Sequence, residues 1–202
     1  MKFSSVGEER EGWETLASEP HFHDPHLAVA TVEVRSPACS RARSWTVVHR
    51  KAAVAIAPMT SDGKLVLIRQ ERIAVLSTLW EVPAGQIDRS GQLELAAIEA
   101  VALSELREET GYELSPSGHL VPLGDFFSSP GFTDERGYCF LARNVEPGAN
   151  GHAHELSESI LDCHAFTPRE IAGMIARNEI RDANTLSVCA KLVAHGFLTL
   201  LP

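Results

Sequence analysis

The sequence predicts an α+β fold. Three observations point there. Short runs rich in Val, Ile and Ala are bounded by turn residues, as half-buried or buried strands are. One long stretch carries apolar residues at helical spacing, and Gly111 sits where a left-handed cap belongs. The helical patterns are few and do not alternate regularly with the strands, which argues against a doubly wound sheet.

The elements follow in order. Residues 1–25 are polar and contain two prolines, so a loose start is expected. Leu27–Val34 reads as a strand, ended by Ser36-Pro37. Trp45–Val48 and Ala52–Ala57 are two further strands. Ser61-Asp62-Gly63-Lys64 is a hairpin signal, because Asp-Gly accepts the positive φ of tight turns. Leu65–Arg69 then pairs back. Trp80–Asp88 reads as an extended segment and loop. Leu93–Thr110 is the principal helix, with Leu95, Ile98, Ala102 and Leu106 on one face. Strands are expected at Val121–Phe127 and Tyr138–Arg143, separated by a Pro130-Gly131 loop. Residues 144–158 read as loop and Ile160–Phe166 as strand. Two helices close the chain. One is Pro168–Arg177, with Thr167 as N-cap and proline in the first turn, and the other is Thr185–His195.

Composition narrows the function classes. Apolar residues are 44% and charged residues 22% of 202, ordinary for a globular chain and wrong for a collagen-like or disordered one. Eighteen basic against 27 acidic residues give a net charge of −9, which disfavours a nucleic-acid partner held by bulk charge. A small phosphorylated ligand stays open, since a bound divalent cation reverses the local sign. No apolar run is long enough for a membrane span, and the start of the chain turns acidic where a secretion signal turns apolar. Cys39, Cys139, Cys163 and Cys189 are widely spaced, with no Cys-x-x-Cys pair. The expectation is reduced thiols in a cytoplasmic protein and no structural zinc. The His21-Phe22-His23-Asp24-Pro25-His26 run is read as incidental, not as a metal cluster. The other histidines show no catalytic spacing.

Glu105, Glu108 and Glu109 stack on one face of the principal helix. Such a set is either a solvated acidic face or a site for a hard cation, since Mg²⁺ takes oxygen ligands and carries phosphate oxygens with it. The surrounding residues favour the second reading. Ser104-Glu105-Leu106-Arg107-Glu108-Glu109-Thr110-Gly111-Tyr112 resembles the second half of the Nudix box, Arg-Glu-apolar-x-Glu-Glu-x-Gly-apolar. Glu81-Val82-Pro83-Ala84-Gly85 resembles the segment leading into that box in ADP-ribose pyrophosphatases. Gln70-Glu71-Arg72, Ser129-Pro130-Gly131-Phe132-Thr133-Asp134-Glu135 and Asp182-Ala183-Asn184-Thr185 resemble other elements of the same subfamily. The likeness runs in register from about residue 45 to 195.

The pattern is broken twice. Gly91 stands where the early Glu of the box is expected, in a loop longer than the family's, with Glu94 and Glu99 as alternatives. Ser104 replaces an Arg that in the family pairs with the box carboxylates, and a hydroxyl offers neither charge nor a bidentate fork.

The resemblance implies a Nudix α/β/α sandwich with a mixed sheet, residues 48–202, preceded by an N-terminal strand extension, residues 1–47, through which a homodimer forms. It implies Mg²⁺-dependent hydrolysis of ADP-ribose or a related nucleoside diphosphate sugar to AMP and ribose 5-phosphate, with Mn²⁺ as an alternative ion. Metal ligands would be Glu105, Glu108, Glu109 and the carbonyl of Ala84. The water-activating carboxylate would come from the 144–158 loop, Glu158 before Glu155. Arg72, Glu81, Glu135 and Phe132 would contact substrate, each with a plain structural alternative: an ion pair for Arg72, loop support for Glu81 and Glu135, core packing for Phe132. Trp45 is open between adenine stacking and core packing. A module that binds a nucleotide with weak or no turnover is the alternative, favoured by Ser104 and the irregular loop.

Overall fold

The structure, a computed structural model, describes residues 11–88, 94–149 and 159–200. They form two compact units, one ending its first stretch at Ala52 and including Phe127–Arg136, the other made of Ala53–Phe126 and Gly137–Pro202.

The first unit is built on a three-stranded antiparallel sheet of β1 (Glu14–His23), β2 (Leu27–Ser36) and β3 (Cys39–Arg50), in that order. Within the expected loose start, Glu14–His23 is a strand. No alternating apolar pattern marks β1 because every one of its residues is exposed. Pro20 lies within it, which an edge strand tolerates since one side of its ladder is unpaired. Its pairing with β2 slips at two places, one of them beside Pro20. The Asp24 carboxylate accepts the N–H groups of His26 and Leu27 at 2.7 and 2.8 Å and shapes the turn between these strands. His21 bonds Thr31 on the neighbouring strand at 2.7 Å. These contacts give the histidine run a structural role.

The second unit holds a seven-stranded mixed sheet. Its main path is β10 (Ile160–Phe166), β5 (Leu65–Arg72), β4 (Ala53–Thr60), β9 (Arg136–Pro147) and β8 (Tyr112–Phe127). β6 (Ser77–Glu81) pairs with β5, and β7 (Ala84–Gln86) with β4. The β4–β9 pair is parallel, while β5 runs antiparallel to both β4 and β10. The expected hairpin closes β4 onto β5 through Gly63 at φ 81°.

β4 is apolar almost without interruption because both of its faces are covered. Alternate residues point to opposite sides of a strand. Ala55, Ala57 and Met59 join Leu65, Leu67, Cys139 and Leu141 in a core with Ile171 and Met174 of α2 (Pro168–Ala176) and Val188, Cys189 and Leu192 of α3 (Ala183–Ala194). Val54, Ile56, Val66, Ile68 and Phe140 occupy the opposite parity. The remaining helix, α1 (Leu95–Thr110), packs on β4, β5 and β7 with Ile98, Ala102 and Leu106 inward. The α+β expectation therefore stands, with a mixed sheet and three α-helices among the described residues.

Helix boundaries follow their caps. Gly111 at φ 70° ends α1 and returns its N–H to the Arg107 carbonyl. Thr167 and Glu170 form a reciprocal capping box at α2, with Pro168 in the first turn as expected. α3 starts two residues before the expected Thr185, because Asp182 caps it. β8 is longer than expected at its start, since Pro116-Ser117-Gly118 suggests a turn yet lies within the strand. The expected loop from residue 144 is strand up to Pro147.

The four cysteines are free thiols. Burial pushes Cys139 and Cys189 up to about 12 and Cys163 up to about 11, so none of these three is a thiolate nucleophile at neutral pH. No helix among the described residues is long and apolar enough to cross a membrane.

Candidate functional site

In the second unit the sequence from β6 into β7 runs Glu81-Val82-Pro83-Ala84-Gly85 beside the C-terminal half of α1. Three carboxylates occupy that half of the helix as the spacing predicts, in different settings. Glu109 is 1% exposed, and its Oε2 accepts the Ala84 N–H at 2.8 Å. Glu105 lies directly over Gly85: a Cβ built there would come 1.9 Å from its Oε1. Only a residue without a side chain leaves room for that carboxyl group. Glu108 is exposed, and Ser104 donates to its Oε1 at 2.8 Å. Ser104 thus supplies one neutral contact, where the family's Arg would supply charge.

Among the described residues, no group of three or more His, Cys, Asp or Glu side chains is placed to hold a metal ion. The donor chemistry still suits a hard cation, because Mg²⁺ keeps several waters and takes only one or two protein carboxylates beside substrate phosphates. The Gly85 notch that admits Glu105 puts this carboxyl group against the backbone of the Ala84–Gly85 turn.

Arg72 at the end of β5 makes a planar fork on Glu81, with Nε to Oε1 at 2.9 Å and Nη2 to Oε2 at 2.7 Å. Hydrogen bonding to Glu81 raises the Arg72 pKa above its ordinary value; burial opposes the rise, and the Glu81, Glu109 and Asp182 charges reinforce it. Glu81 is 3% exposed and Arg72 38%. Both sequence alternatives for Arg72 meet a definite geometry here: its guanidinium is engaged with a buried carboxylate.

Asp182 borders this group. Its Oδ2 accepts the Thr185 N–H at 2.8 Å, while Oδ1 is buried with no hydrogen-bond partner among the described residues. Burial pushes its pKa up and the Glu81 charge adds to the rise, against the lowering effects of Thr185 and Arg72. A carboxyl that holds its proton more tightly folded than unfolded costs stability as pH rises through its folded pKa. Asn caps a helix about as well as Asp. Asp182→Asn is therefore expected to raise Tm at pH 7, with the two proteins converging below about pH 4, the ordinary Asp range. Calorimetry across pH checks this, and an unchanged or lower Tm at pH 7 would refute it.

Phe132 and Glu135 belong to the first unit and are described there. Glu135 accepts from Ser128 Oγ at 2.6 Å and pairs with Arg50 at 3.2 Å. Asp134 bonds His49 at 2.7 Å and the Arg50 N–H at 3.1 Å. The loop is further fixed by Val48 N–H to the Phe132 carbonyl at 2.8 Å. Trp45 donates its indole N–H to the Gly131 carbonyl at 2.7 Å and is exposed, as is Phe132. Neither aromatic is a core residue. Glu155 and Glu158, named as candidate bases, lie outside the described residues, as does Gly91. Sequence reasoning missed one contact beside the carboxylates: Val82 N–H donates to Thr185 Oγ1 at 2.9 Å. The Asp182-Ala183-Asn184-Thr185 motif was the only signal of it.

The family model of the NUDIX domain matches residues 48–188. The chain is 30% identical over 172 residues to a Bacillus subtilis (strain 168) protein named ADP-ribose pyrophosphatase, across 85% of this chain and 87% of that one. It is 30% identical over 187 residues to a protein of the same name from Mycobacterium tuberculosis (strain ATCC 25618 / H37Rv), across 93% and 85%. The crystal structure of an ADP compounds hydrolase shares the fold, with a TM-score of 0.72 at 18% identity over 93% of this chain and 98% of that one.

Proposed function

This chain belongs to the NUDIX family, as a hydrolase similar to the ADP-ribose pyrophosphatases, and from that premise we propose that it cleaves the pyrophosphate bond of ADP-ribose or a related nucleoside diphosphate sugar. The products of ADP-ribose would be AMP and ribose 5-phosphate. The observation that carries the reading is the docking of α1 against the Pro83-Ala84-Gly85 turn, with Glu109 bonded to the Ala84 N–H and Glu105 seated over Gly85.

Glu105, Glu108 and Glu109 with the Ala84 carbonyl would share two or three divalent cations, Mg²⁺ first and Mn²⁺ second. When bound, such ions supply charge stabilisation for the phosphoryl oxygens and position a water for attack on phosphorus. The chain's own residues provide the frame. Glu109 is fixed by a backbone donor, while Ser104 restrains Glu108. Arg72 is fixed as a fork by Glu81 and adds positive charge near Glu109. Glu158, and after it Glu155, is proposed as the group that takes the water's proton. Phe132 and Glu135 are proposed substrate contacts.

The N-terminal strands are proposed as a homodimer surface, supported by exposed Trp13, Leu16 and Phe22 along β1 and its approach. Free cysteines support a cytoplasmic setting.

Incubating the protein with ADP-ribose, nucleotide sugars and dinucleotides, with and without Mg²⁺, tests the proposal. AMP release from ADP-ribose that stops with a chelator is the expected result. Absence of cleavage across the panel, with Mg²⁺ and Mn²⁺ both supplied, would overturn it.

A further inference from the structure

We infer that Thr185, at the start of α3, is a positioning residue for the cation site, acting through the backbone of Val82–Ala84. The inference rests on the reading of Ala84, Glu105 and Glu109 as cation ligands.

Pro83 has no N–H, so the turn Val82-Pro83-Ala84 has two backbone donors. Both donate to side chains from helices far apart in sequence: Val82 to Thr185 Oγ1 at 2.9 Å and Ala84 to Glu109 Oε2 at 2.8 Å. The Pro83 carbonyl accepts the Ile56 N–H of β4 at 2.9 Å. Three consecutive residues are thus held by α3, β4 and α1. Thr185 is 0% and Val82 1% exposed, so no water can replace the hydroxyl acceptor. Thr185 is in turn fixed by its own N–H to Asp182.

This arrangement explains the residue type. Valine would fill the same volume but offers no acceptor, and the buried Val82 N–H would lose its partner. The turn would then shift, taking the Ala84 N–H away from Glu109 and moving the Ala84 carbonyl with it. Serine keeps the acceptor. A purely packing role would make valine the better substitute and serine the worse.

The test is Mn²⁺ binding, followed by the paramagnetic resonance of the free ion, together with thermal melts. The proteins are wild type, Thr185→Val, Thr185→Ser and Leu192→Ala. Leu192 is a core residue of the same helix and reports general loosening. Thr185→Val is expected to weaken Mn²⁺ about tenfold or more, the usual effect of removing a support behind a ligand. Thr185→Ser is expected to keep wild-type affinity, and Leu192→Ala to lower Tm without changing affinity. Unchanged affinity in Thr185→Val, or an equal loss in Leu192→Ala, overturns the inference and leaves the cation reading standing. Wild type that binds no Mn²⁺ overturns the cation reading and this inference with it. Amide exchange in wild type needs no variant to fold. A slow Val82 amide supports the inference, and one exchanging at the rate of exposed amides overturns it.

Discussion

Glu109→Gln is expected to lower turnover about 10³-fold with little change in Tm. The asymmetry follows from the two roles of the side chain. Glu109 is itself only 1% exposed and its Oε2 accepts the Ala84 N–H, a contact that the amide oxygen of glutamine can still make. The fold therefore keeps that hydrogen bond and the side chain's volume. What glutamine cannot provide is the negative charge. In the proposed reaction that charge holds the cation, and a cation bound at a transferring phosphoryl group is worth several kcal/mol of transition-state stabilisation. At about 1.4 kcal/mol per decade this amounts to roughly 10³ in rate. Steady-state kinetics and a melt on the same preparation check both halves. Turnover within tenfold of wild type, in a folded protein, would remove Glu109 from the reaction. A collapse of Tm would show that the carboxylate's charge serves the fold.

The α1 contribution to this site was legible because its information is local. Carboxylates at i, i+3 and i+4 face the same way on any helix, and Gly111 marks where that helix stops. The α2 cap was legible for the same reason: Thr167, Pro168 and Glu170 lie within one turn. β1 was not. Its residues are exposed, so no burial pattern was imposed on them, and only pairing with β2 makes them a strand. β8 hid behind Pro116 and Gly118, whose turn preference is overridden by the sheet.

The same division runs through the site. The turn Pro83-Ala84-Gly85 could be read as a backbone element near the carboxylates, but the partners that fix it could not. Thr185 meets Val82 across 103 positions of sequence, and no spacing rule reaches that far. The Arg72–Glu81 fork depends on β5 and β6 pairing around the Ile73–Val75 turn. From the sequence alone, a phosphate contact and an ion pair were equally open for Arg72. Ser104 was legible as a departure, and its structural consequence is a single hydroxyl contact to Glu108.

Arg72→Met is expected to destabilise the protein by about 3 kcal/mol, the low end of the cost of breaking a buried ion pair. The low end applies because Arg72 is 38% exposed, whereas Glu81 is 3% exposed and cannot recover its hydration. The variant would strand a carboxylate that in wild type receives two hydrogen bonds, at 2.9 and 2.7 Å. Replacing both partners by apolar residues removes the stranded charge along with the pair, so Arg72→Met with Glu81→Leu should recover most of the loss. Arg72→Lys should fall between, since an ammonium cannot present two parallel donors. Urea unfolding of the four proteins reads these differences directly. A loss below about 1 kcal/mol in Arg72→Met would be the behaviour of an exposed pair and would contradict a structural role for the fork. If the large loss and its rescue are found, any phosphate contact by Arg72 must be made by a guanidinium still anchored on Glu81. In that case Glu81 serves substrate binding only by holding Arg72 in place.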